Sequence, residues 1–448
     1  MSAAEPRGHG PTAGETGEQP TIALVVCPEV RGRTGDSGRS LEDRLAEAVG
    51  LARSIGLEVA GAEAVRITRV RAATLLGTGT IERLREQIEQ TRAGLVIVDT
   101  ALGPIQQRNL ERELKVKVID RTGLILEIFG ARARTHEGRL QVELAALTYQ
   151  RSRLVRSWTH LERQRGALGF IGGPGESQLE IDRRLTDERI MRLRRELEQV
   201  KRTRSLHRAA REKVPYPIVA LVGYTNAGKS TLFNRLTSAE VLAEDKLFAT
   251  LDPTMRRLPL PGGRDVILSD TVGFISNLPT QLVAAFRATL EEVQAADLIV
   301  HVRDAASADS EAQRRDVESV LRDLGVEQTP QLVAMNKADL LPPEERALLE
   351  SQAARTDTLA VISALTGEGI ETLLEKIAAC LASRQSRVAF TVPAGQGDAL
   401  AWLHRHAQVE RIDQQGDLLE CTVRIAEADS MRFASRFSIP PHEAAAGA

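Results

Sequence analysis

The chain has 448 residues and a formal net charge of −2, and this length predicts about three domains. Its three cysteines, Cys27, Cys380 and Cys421, lie far apart in apolar stretches, which argues against a disulfide framework or a zinc cluster and favours a reducing, cytoplasmic location. No stretch reaches eighteen apolar residues, so we expect no membrane span.

The first part of the chain is predicted to be a disordered tail followed by an α/β domain. Residues 1–20 are rich in Gly, Pro, Glu and Thr, a composition that buries little apolar surface. Residues 21–136 alternate apolar runs with helical patterns, which is typical of an α/β domain. Strands are expected at 22–27, 65–70, 95–98 and 116–119, and helices at 40–55, 80–91 and 106–114.

Residues 137–213 are predicted to form an antiparallel helical hairpin. Two stretches show apolar side chains at heptad-like spacing, which indicates two packed helices. These side chains are Leu140, Leu144, Leu147, Leu154, Trp158 and Leu161 in the first helix, and Ile190, Leu193, Leu197 and Val200 in the second. The glycine-rich segment 166–175 lies between them and is predicted to be the tip of the hairpin. Its apolar residues fit either a docking surface or a loop folded over the α/β domain.

The hairpin is basic. Between Arg151 and Lys213 there are 17 Lys and Arg against 9 Asp and Glu, a net charge of +8, so the rest of the chain carries −10. This asymmetry indicates a polyanionic partner, and a solvated helix face is the alternative.

A phosphate-binding loop is predicted at Gly223-Tyr-Thr-Asn-Ala-Gly-Lys-Ser230. It lies between an apolar strand pattern at 217–222 and a helical pattern at 231–236. In this context backbone N–H groups wrap around phosphates, and the Lys229 ammonium adds charge at the β- and γ-phosphates. The hydroxyl of Ser230 can reach Mg²⁺.

Three further segments complete a guanine-nucleotide pocket. Asp270 ends a strand pattern, where its carboxylate can hold Mg²⁺ through water, and the Gly273 N–H can face the γ-phosphate. In Asn336-Lys-Ala-Asp339, the carboxylate can accept hydrogen bonds from both donors of guanine, whereas adenine would leave it unpaired. In Ser363-Ala-Leu365, the Ala364 N–H can meet guanine O6. These segments predict a GTPase and disfavour an ATPase.

The loop 245–253 and the residue after Gly273 bear on hydrolysis. Thr250 is expected to close over Mg²⁺ and the γ-phosphate, in preference to Thr254, which begins a predicted strand. Phe274 stands where many small GTPases carry a glutamine that orients water, so basal turnover should be slow. The Asn226 amide can hold K⁺ beside the phosphates or brace the loop.

The predicted catalytic residues are Lys229, Thr250 and Gly273, and the predicted Mg²⁺ ligands are Ser230, Thr250 and, through water, Asp270. The predicted nucleotide-binding residues are Gly223, Tyr224, Thr225, Asn226, Ala227, Gly228, Lys229, Ser230, Thr231, Phe248, Ala249, Thr250, Asp270, Thr271, Val272, Gly273, Asn336, Lys337, Ala338, Asp339, Ser363, Ala364 and Leu365.

The fold class is therefore α/β with three parts. After the N-terminal domain and its hairpin, residues 214–385 are predicted to be a Ras-like G domain whose mostly parallel sheet includes one β-hairpin, at 254–260 and 264–269. Residues 386–440 show a β-α-β-β-α pattern, which predicts a small α+β domain. Residues 441–448 are expected to be a tail.

The motifs resemble those of the HflX family of ribosome-associated GTPases. The resemblance rests on the phosphate-binding loop, on Asp270-Thr-Val-Gly-Phe274, on Leu247-Phe-Ala-Thr-Leu-Asp-Pro-Thr254, and on Gly172-Gly-Pro-Gly-Glu-Ser-Gln-Leu-Glu180 followed by Asp182-Arg-Arg184. It covers about residues 21–385, and the C-terminal domain by order alone. Ala167 departs from the pattern, because members often carry another glycine there.

The resemblance implies a GTPase that binds GTP, GDP and the large ribosomal subunit with its RNA, and that helps to separate stalled or idle ribosomes, especially under stress. The resemblance also implies that the hairpin points toward the peptidyl-transferase region. The charge for RNA phosphates would come from Arg183, Arg184, Arg192, Arg194 and Arg195. The alternative is a GTP/GDP-switched module that recruits a protein partner without ribosome remodelling. The sequence leaves the oligomeric state open, and a monomer is the expectation.

Overall fold

A computed structural model describes residues 21–30, 39–165, 178–211, 216–237, 248, 254–263, 265–276, 287–382 and 385–443. Within these ranges no helix combines the length and the apolar character needed to cross a lipid bilayer.

The N-terminal domain is a parallel sheet covered by helices on both faces. Its sheet has the order β2-β1-β3-β4 and all three pairings are parallel. One apolar core lies between this sheet and α1 and α4, and a second lies between the sheet and α2 and α3. The elements are β1 (Ile22–Val30), α1 (Leu41–Ser54), β2 (Glu58–Ile67), α2 (Thr78–Thr91), β3 (Leu95–Val98), α3 (Pro104–Leu114), β4 (Lys117–Asp120) and α4 (Arg121–Arg132).

Two elements of this domain differ from the sequence expectation. The second strand begins at Glu58 instead of residue 65, because it is an edge strand whose exposed and half-buried residues alternate without an apolar run. Helix α4 was not predicted, because its buried residues occur all around the helix and Gly123 and Gly130 interrupt the pattern.

The basic hairpin consists of α5 (His136–Arg165) and α6 (Gln178–Arg211). Arg151, which interrupts the apolar pattern of α5, pairs with Asp187 of α6 over 2.9 Å. The predicted packing of the two helices is confirmed where Leu140, Leu144 and Leu147 of α5 meet Leu193, Leu197 and Val200 of α6. The predicted tip at 166–175 and the side chains of Leu154, Trp158 and Leu161 lie outside what the structure describes.

Asp120 joins the middle of helix α5 to the N-terminal sheet. Its carboxylate accepts hydrogen bonds from the N–H groups of Leu102 and Gly123, at 3.0 and 2.8 Å, and caps α4. Arg153 of α5 pairs with the same carboxylate over 2.6 Å, and the Tyr149 hydroxyl donates to it. The middle of α5 is therefore fixed to the carboxyl edge of the sheet.

The G domain has a six-stranded sheet of order β10-β9-β8-β5-β7-β6. Its pairings are parallel except for β6 with β7, which confirms the predicted β-hairpin. The elements are β5 (Ile218–Val222), α7 (Lys229–Thr237), β6 (Thr254–Pro259), β7 (Asp265–Asp270), α8 (Arg287–Gln294), β8 (Leu298–Asp304), α9 (Ser310–Asp323), β9 (Gln331–Asn336), a 3₁₀ turn (Ala338–Leu340), α10 (Pro343–Ala354), β10 (Leu359–Val361) and α11 (Ile370–Ala382).

The C-terminal domain is a small antiparallel sheet of order β12-β13-β11-β14 covered by two helices. An aromatic core centred on Phe390, Trp402 and Phe433 holds the two layers together. The elements are β11 (Gln385–Pro393), α12 (Gly397–His406), β12 (Gln408–Gln415), β13 (Leu418–Ala426), α13 (Glu427–Phe437) and β14 (His442–Glu443). Strand β14 lies in the stretch expected to be a tail, because His442 and Glu443 pair with β11.

Candidate nucleotide site

The loop between β5 and α7 requires its glycines. Gly223 has φ +154° and Gly228 has φ +91°. A Cβ at Gly223 would lie 2.2 Å from the Val302 carbonyl oxygen, and a Cβ at Gly228 would lie 2.2 Å from Nδ2 of Asn336. The sequence therefore forms this tight loop only with glycine at both positions, and α7 begins directly after it, at Lys229.

Lys229 is buried at the centre of the loop. Its ammonium donates hydrogen bonds to the carbonyl oxygens of Gly223 and Tyr224, at 3.1 and 2.8 Å. Burial lowers the pKa of Lys229 to about 8, against the opposing field of Asp270. This side chain holds a positive charge inside the loop, where phosphate oxygens would be attracted.

Ser230 and Asp270 place two oxygen atoms that can bind a metal ion beside Lys229. Strands β5 and β7 are parallel neighbours with Leu221 opposite Asp270, so the carboxylate ends at the loop. The Ser230 hydroxyl donates to Asp270 Oδ2 over 2.8 Å, and the Thr271 hydroxyl donates to the Leu221 carbonyl over 2.6 Å. A hydroxyl and a carboxylate are hard oxygen ligands of the kind that suits Mg²⁺.

The segment after Asp270 is paired with the phosphate-binding loop. The Phe274 N–H donates to the Gly223 carbonyl over 3.1 Å, and the Thr225 N–H donates to the Phe274 carbonyl over 2.8 Å. A Cβ at Gly273 would lie 2.8 Å from Cγ2 of Thr225 and 3.1 Å from Nζ of Lys229. Glycine therefore lets this backbone approach the charged centre of the loop.

Phe274 is buried in the apolar core shared by the G domain and the N-terminal domain. Its ring packs in this core and has no hydrogen-bonding group, so it offers neither a hydrogen-bond donor nor an acceptor to a water molecule. The expectation that this position does not orient water stays a prediction, and the burial of the ring supports it.

Asn336 joins the phosphate-binding loop to the segment that carries Ala364. Its Nδ2 donates to the Ala227 carbonyl, and its Oδ1 accepts from the Ala364 N–H, both at 2.8 Å. The sequence assigned that N–H to guanine O6. In the structure it is used by Asn336, so a base would need to share it or to use a neighbouring N–H.

The carboxylate of Asp339 has one oxygen that is free to accept hydrogen bonds from a ligand. Its Oδ1 is buried and has no hydrogen-bond partner among the described residues. Leaving a buried carboxylate oxygen unpaired costs free energy, and a base with two adjacent donors would satisfy it. The side chain of Leu365, by contrast, is 72% exposed, which leaves an open apolar surface beside this region.

Arg235 of α7 was not found by sequence reasoning. Its Nε donates to the Ala364 carbonyl over 2.7 Å, and its Nη2 donates to the Leu365 carbonyl. The phosphate-binding helix thus holds the Ser363–Leu365 segment from behind. No motif marks this arginine, because the contact joins residues 129 and 130 positions apart.

Five further predicted residues are considered next. Asn226 is exposed with φ 62°. Phe248 has φ 57° and is buried, with its ring edge to face against Phe129 of α4 at a centroid distance of 4.7 Å. Lys337 pairs with Asp304 over 2.8 Å. The predicted residues Ala249 and Thr250 lie outside the described part of the chain.

Comparison with known families covers nearly the whole chain. Residues 42–130 match the N-terminal region of GTP-binding GTPases, residues 132–211 match their middle region, residues 218–337 match the 50S ribosome-binding GTPases, and residues 347–446 match the HflX C-terminal domain. The GTPase HflX of Magnetococcus marinus is 51% identical over 414 residues, which are 92% of this chain and 94% of that protein. The chain belongs to the HflX family of GTPases.

A second HflX relative agrees with this assignment. The GTPase HflX of Escherichia coli is 45% identical over 357 residues, which are 79% of this chain and 83% of that protein. A solved structure, a GTP-binding protein from the archaeon Sulfolobus solfataricus in complex with GDP, covers 82% of this chain and 99% of its own, at 25% identity and a TM-score of 0.43. As a member of the HflX family, the chain is a GTPase.

The five arginines predicted to contact RNA lie on α6 of this HflX-family chain, and all are exposed. Three of them pair with carboxylates one turn along the helix, namely Arg183 with Asp187 at 4.0 Å, Arg184 with Glu188 at 3.8 Å and Arg192 with Glu196 at 2.9 Å. No carboxylate of the described residues pairs with Arg194 or Arg195. These two side chains are thus the better candidates for binding an external anion.

Proposed function

We propose that this GTPase binds the large ribosomal subunit in the cytoplasm, as a monomer, and couples GTP binding and hydrolysis to the dissociation or rescue of stalled or idle ribosomes. The observation that carries the proposal is the match of residues 218–337 to the 50S ribosome-binding GTPases. The exposed arginines of α6 support it, because RNA of this kind is recognised through its phosphates and its shape.

In the proposed complex the base lies against Asp339 and the phosphates lie in the loop from Gly223 to Ser230. The unpaired Asp339 Oδ1 supports the first assignment, and the buried charge of Lys229 supports the second. The complete set of contacts is that predicted from the sequence, including Phe248, Ala249 and Thr250 in the loop before β6.

Mg²⁺ would be held by the hydroxyls of Ser230 and Thr250 and, through water, by Asp270. When bound, the ion neutralises negative charge on the β- and γ-phosphates. Lys229 adds a fixed charge beside it, and the Gly273 N–H faces the γ-phosphate. Lys229 is held by the carbonyl oxygens of Gly223 and Tyr224, and the segment after Gly273 is paired with the same loop, so both donors need little rearrangement as charge develops.

Hydrolysis needs a group that orients the attacking water, and the buried ring of Phe274 does not provide one. We therefore propose that basal turnover is slow and that the ribosome, or a K⁺ ion held by Asn226, supplies the missing assistance. The exposed position of the Asn226 side chain leaves it accessible to such an ion.

Co-sedimentation with purified large ribosomal subunits tests the proposal. The protein should pellet with the subunits in the presence of a non-hydrolysable GTP analogue and much less in the presence of GDP. If it stays in the supernatant with both nucleotides, ribosome binding is excluded and the alternative, a switched module that recruits a protein partner, is favoured.

A further inference from the structure

A cluster of buried charges lies between the N-terminal domain and the G domain. At its centre is Glu47 of α1, whose side chain is 6% exposed. Arg39 and Arg121 flank it, with side chains that are 5% and 8% exposed. We call these three residues, together with Tyr224 and Ser276, the Glu47 cluster.

Each oxygen of Glu47 joins one arginine to one group of the G domain. Oε2 accepts hydrogen bonds from Arg39 and from the Tyr224 hydroxyl, both at 2.5 Å. Oε1 accepts from Arg121 at 2.5 Å and from the Ser276 hydroxyl at 3.3 Å. The carboxylate therefore touches the phosphate-binding loop with one oxygen and the segment after Gly273 with the other.

The arginines also have second partners, so the charges in the cluster are compensated. Arg39 pairs with Asp309 of the G domain over 2.7 Å, and Arg121 pairs with Asp99 at the end of β3 over 2.5 Å. Burial alone would raise the pKa of Glu47, but the fields of Arg121 and Arg39 and the Tyr224 hydrogen bond lower it below its usual range. Glu47 is thus ionised at neutral pH, and losing it would leave two buried cations short of a partner.

Further bonds connect the cluster to the backbone of the nucleotide site. The Ser276 N–H donates to the Tyr224 hydroxyl over 2.8 Å, and Arg121 donates to the Ser276 carbonyl over 3.1 Å. Tyr224 lies next to Gly223 and Thr225, which pair with Phe274. Ser276 is three residues after Gly273. The cluster therefore holds both the phosphate-binding loop, through Tyr224, and the segment after Gly273, through Ser276.

We propose that Glu47 is a positioning residue of the GTPase site, which acts through Tyr224 and Ser276 to hold the Gly273 N–H at a fixed distance from the phosphate-binding loop. A donor that is already in place stabilises the developing charge on the γ-phosphate without a cost of reorganisation. The N-terminal domain thereby completes the hydrolytic site of the G domain. This inference rests on the GTPase activity and is independent of ribosome binding.

The first test is Glu47→Gln in the full-length protein, with Glu42→Gln as the matched control. Glu42 lies on the same helix and is exposed. In single-turnover hydrolysis at saturating GTP, we expect Glu47→Gln to lower the rate about tenfold or more. The dissociation constant for GDP should change by less than about threefold, because GDP has no γ-phosphate to meet Gly273. The control should match the wild type in both measurements.

The second test is a double-mutant cycle with Tyr224→Phe, which keeps every ion pair of the cluster and removes only the hydroxyl. If Glu47 acts through Tyr224, each single variant lowers the rate and the double variant is little worse than Glu47→Gln alone. Additive losses, or a Glu47→Gln rate equal to or above that of the wild type, would overturn the proposal. Should Glu47→Gln fail to fold, Tyr224→Phe decides alone, since an unchanged rate in that variant contradicts the proposal and a tenfold loss with retained GDP affinity supports it.

Discussion

The hydroxyl of Ser230 donates a hydrogen bond to Asp270 Oδ2 over 2.8 Å. Ser230 belongs to α7 and Asp270 to β7, so this bond joins the phosphate-binding helix to the strand that leads into the Gly273 segment. An ion that takes both oxygens as ligands would replace the bond and connect the same two elements. Mg²⁺ binding and the position of Gly273 are therefore expected to depend on each other.

Asp270→Asn should weaken the Mg²⁺-dependent part of GTP affinity about tenfold or more, because an amide is a poorer partner for a divalent ion and its water than a carboxylate. The measurement is the dissociation constant of a fluorescent GTP analogue with Mg²⁺ and with EDTA. Asp265→Asn, at the opposite end of the same strand, is the control and should leave the Mg²⁺ effect intact. An equal Mg²⁺ effect in all three proteins would remove Asp270 from the ion site.

Asp339→Asn should weaken GTP binding by about 3 kcal/mol and increase affinity for xanthosine triphosphate, because an amide does not accept both guanine donors. Affinities for both nucleotides would be measured by competition against a fluorescent analogue. Asp357→Asn, an exposed position in the same domain, controls for the loss of one negative charge. Unchanged GTP affinity would show that another residue recognises the base.

His301 predicts a pH-dependent stability. It is buried on β8, and burial together with the charges of Arg303, Lys229 and Arg314 lowers its pKa to about 3. In the unfolded chain the pKa of His301 is near 6.5. Below that pH the unfolded state binds a proton at His301, whereas the folded state does not. The contribution of His301 to the free energy of unfolding is fully present above the pKa of the unfolded state, and it falls as the pH drops toward 3.

The wild type should lose about 2 kcal/mol of unfolding free energy between pH 7 and pH 5 through this one residue. His301→Gln should remove that part of the loss, whereas His404→Gln, at an exposed position, should retain it. Urea denaturation at the two pH values measures the difference. A His301→Gln profile parallel to the wild type would mean that folding does not lower the pKa of this histidine.

Arg194 and Arg195 should contribute more to ribosome binding than Arg183 and Arg184, because the latter pair with Asp187 and Glu188 on their own helix. We expect Arg194→Glu with Arg195→Glu to weaken subunit binding and to lower the salt slope by about one unit per lost phosphate contact. Arg183→Glu with Arg184→Glu is the matched control for net charge. Equal losses in the two variants would show that total charge alone matters, and no loss in either would exclude this face of α6.

The nucleotide site was largely predictable because its signals are local. Glycine spacing, the apolar run of β5 and the residues that follow β7 and β9 fix which loops meet at the carboxyl edge of the sheet. Strand β3 was predicted with its observed bounds, since all four of its residues are buried and apolar. Strand β2 was misplaced, because half of its residues are exposed and its sequence alternates weakly.

The contacts between domains were not predictable from the sequence. Glu47 lies in a helix with several charged residues, where an acidic side chain is usually solvated, and its partners Tyr224 and Ser276 are 177 and 229 positions away. Arg235 gives no local signal for the same reason. Such partners are fixed by how the domains pack, and a single sequence carries no pattern that specifies that packing.

Light scattering of purified 70S ribosomes tests the proposal that GTP binding at this site drives ribosome dissociation. With GTP, the wild type should reduce the scattering, because separated subunits scatter less light than whole ribosomes. Asp339→Asn should fail to do so with GTP and regain the effect with xanthosine triphosphate, which assigns the effect to this nucleotide site. Constant scattering with the wild type and GTP, in a preparation that hydrolyses GTP, would contradict the claim.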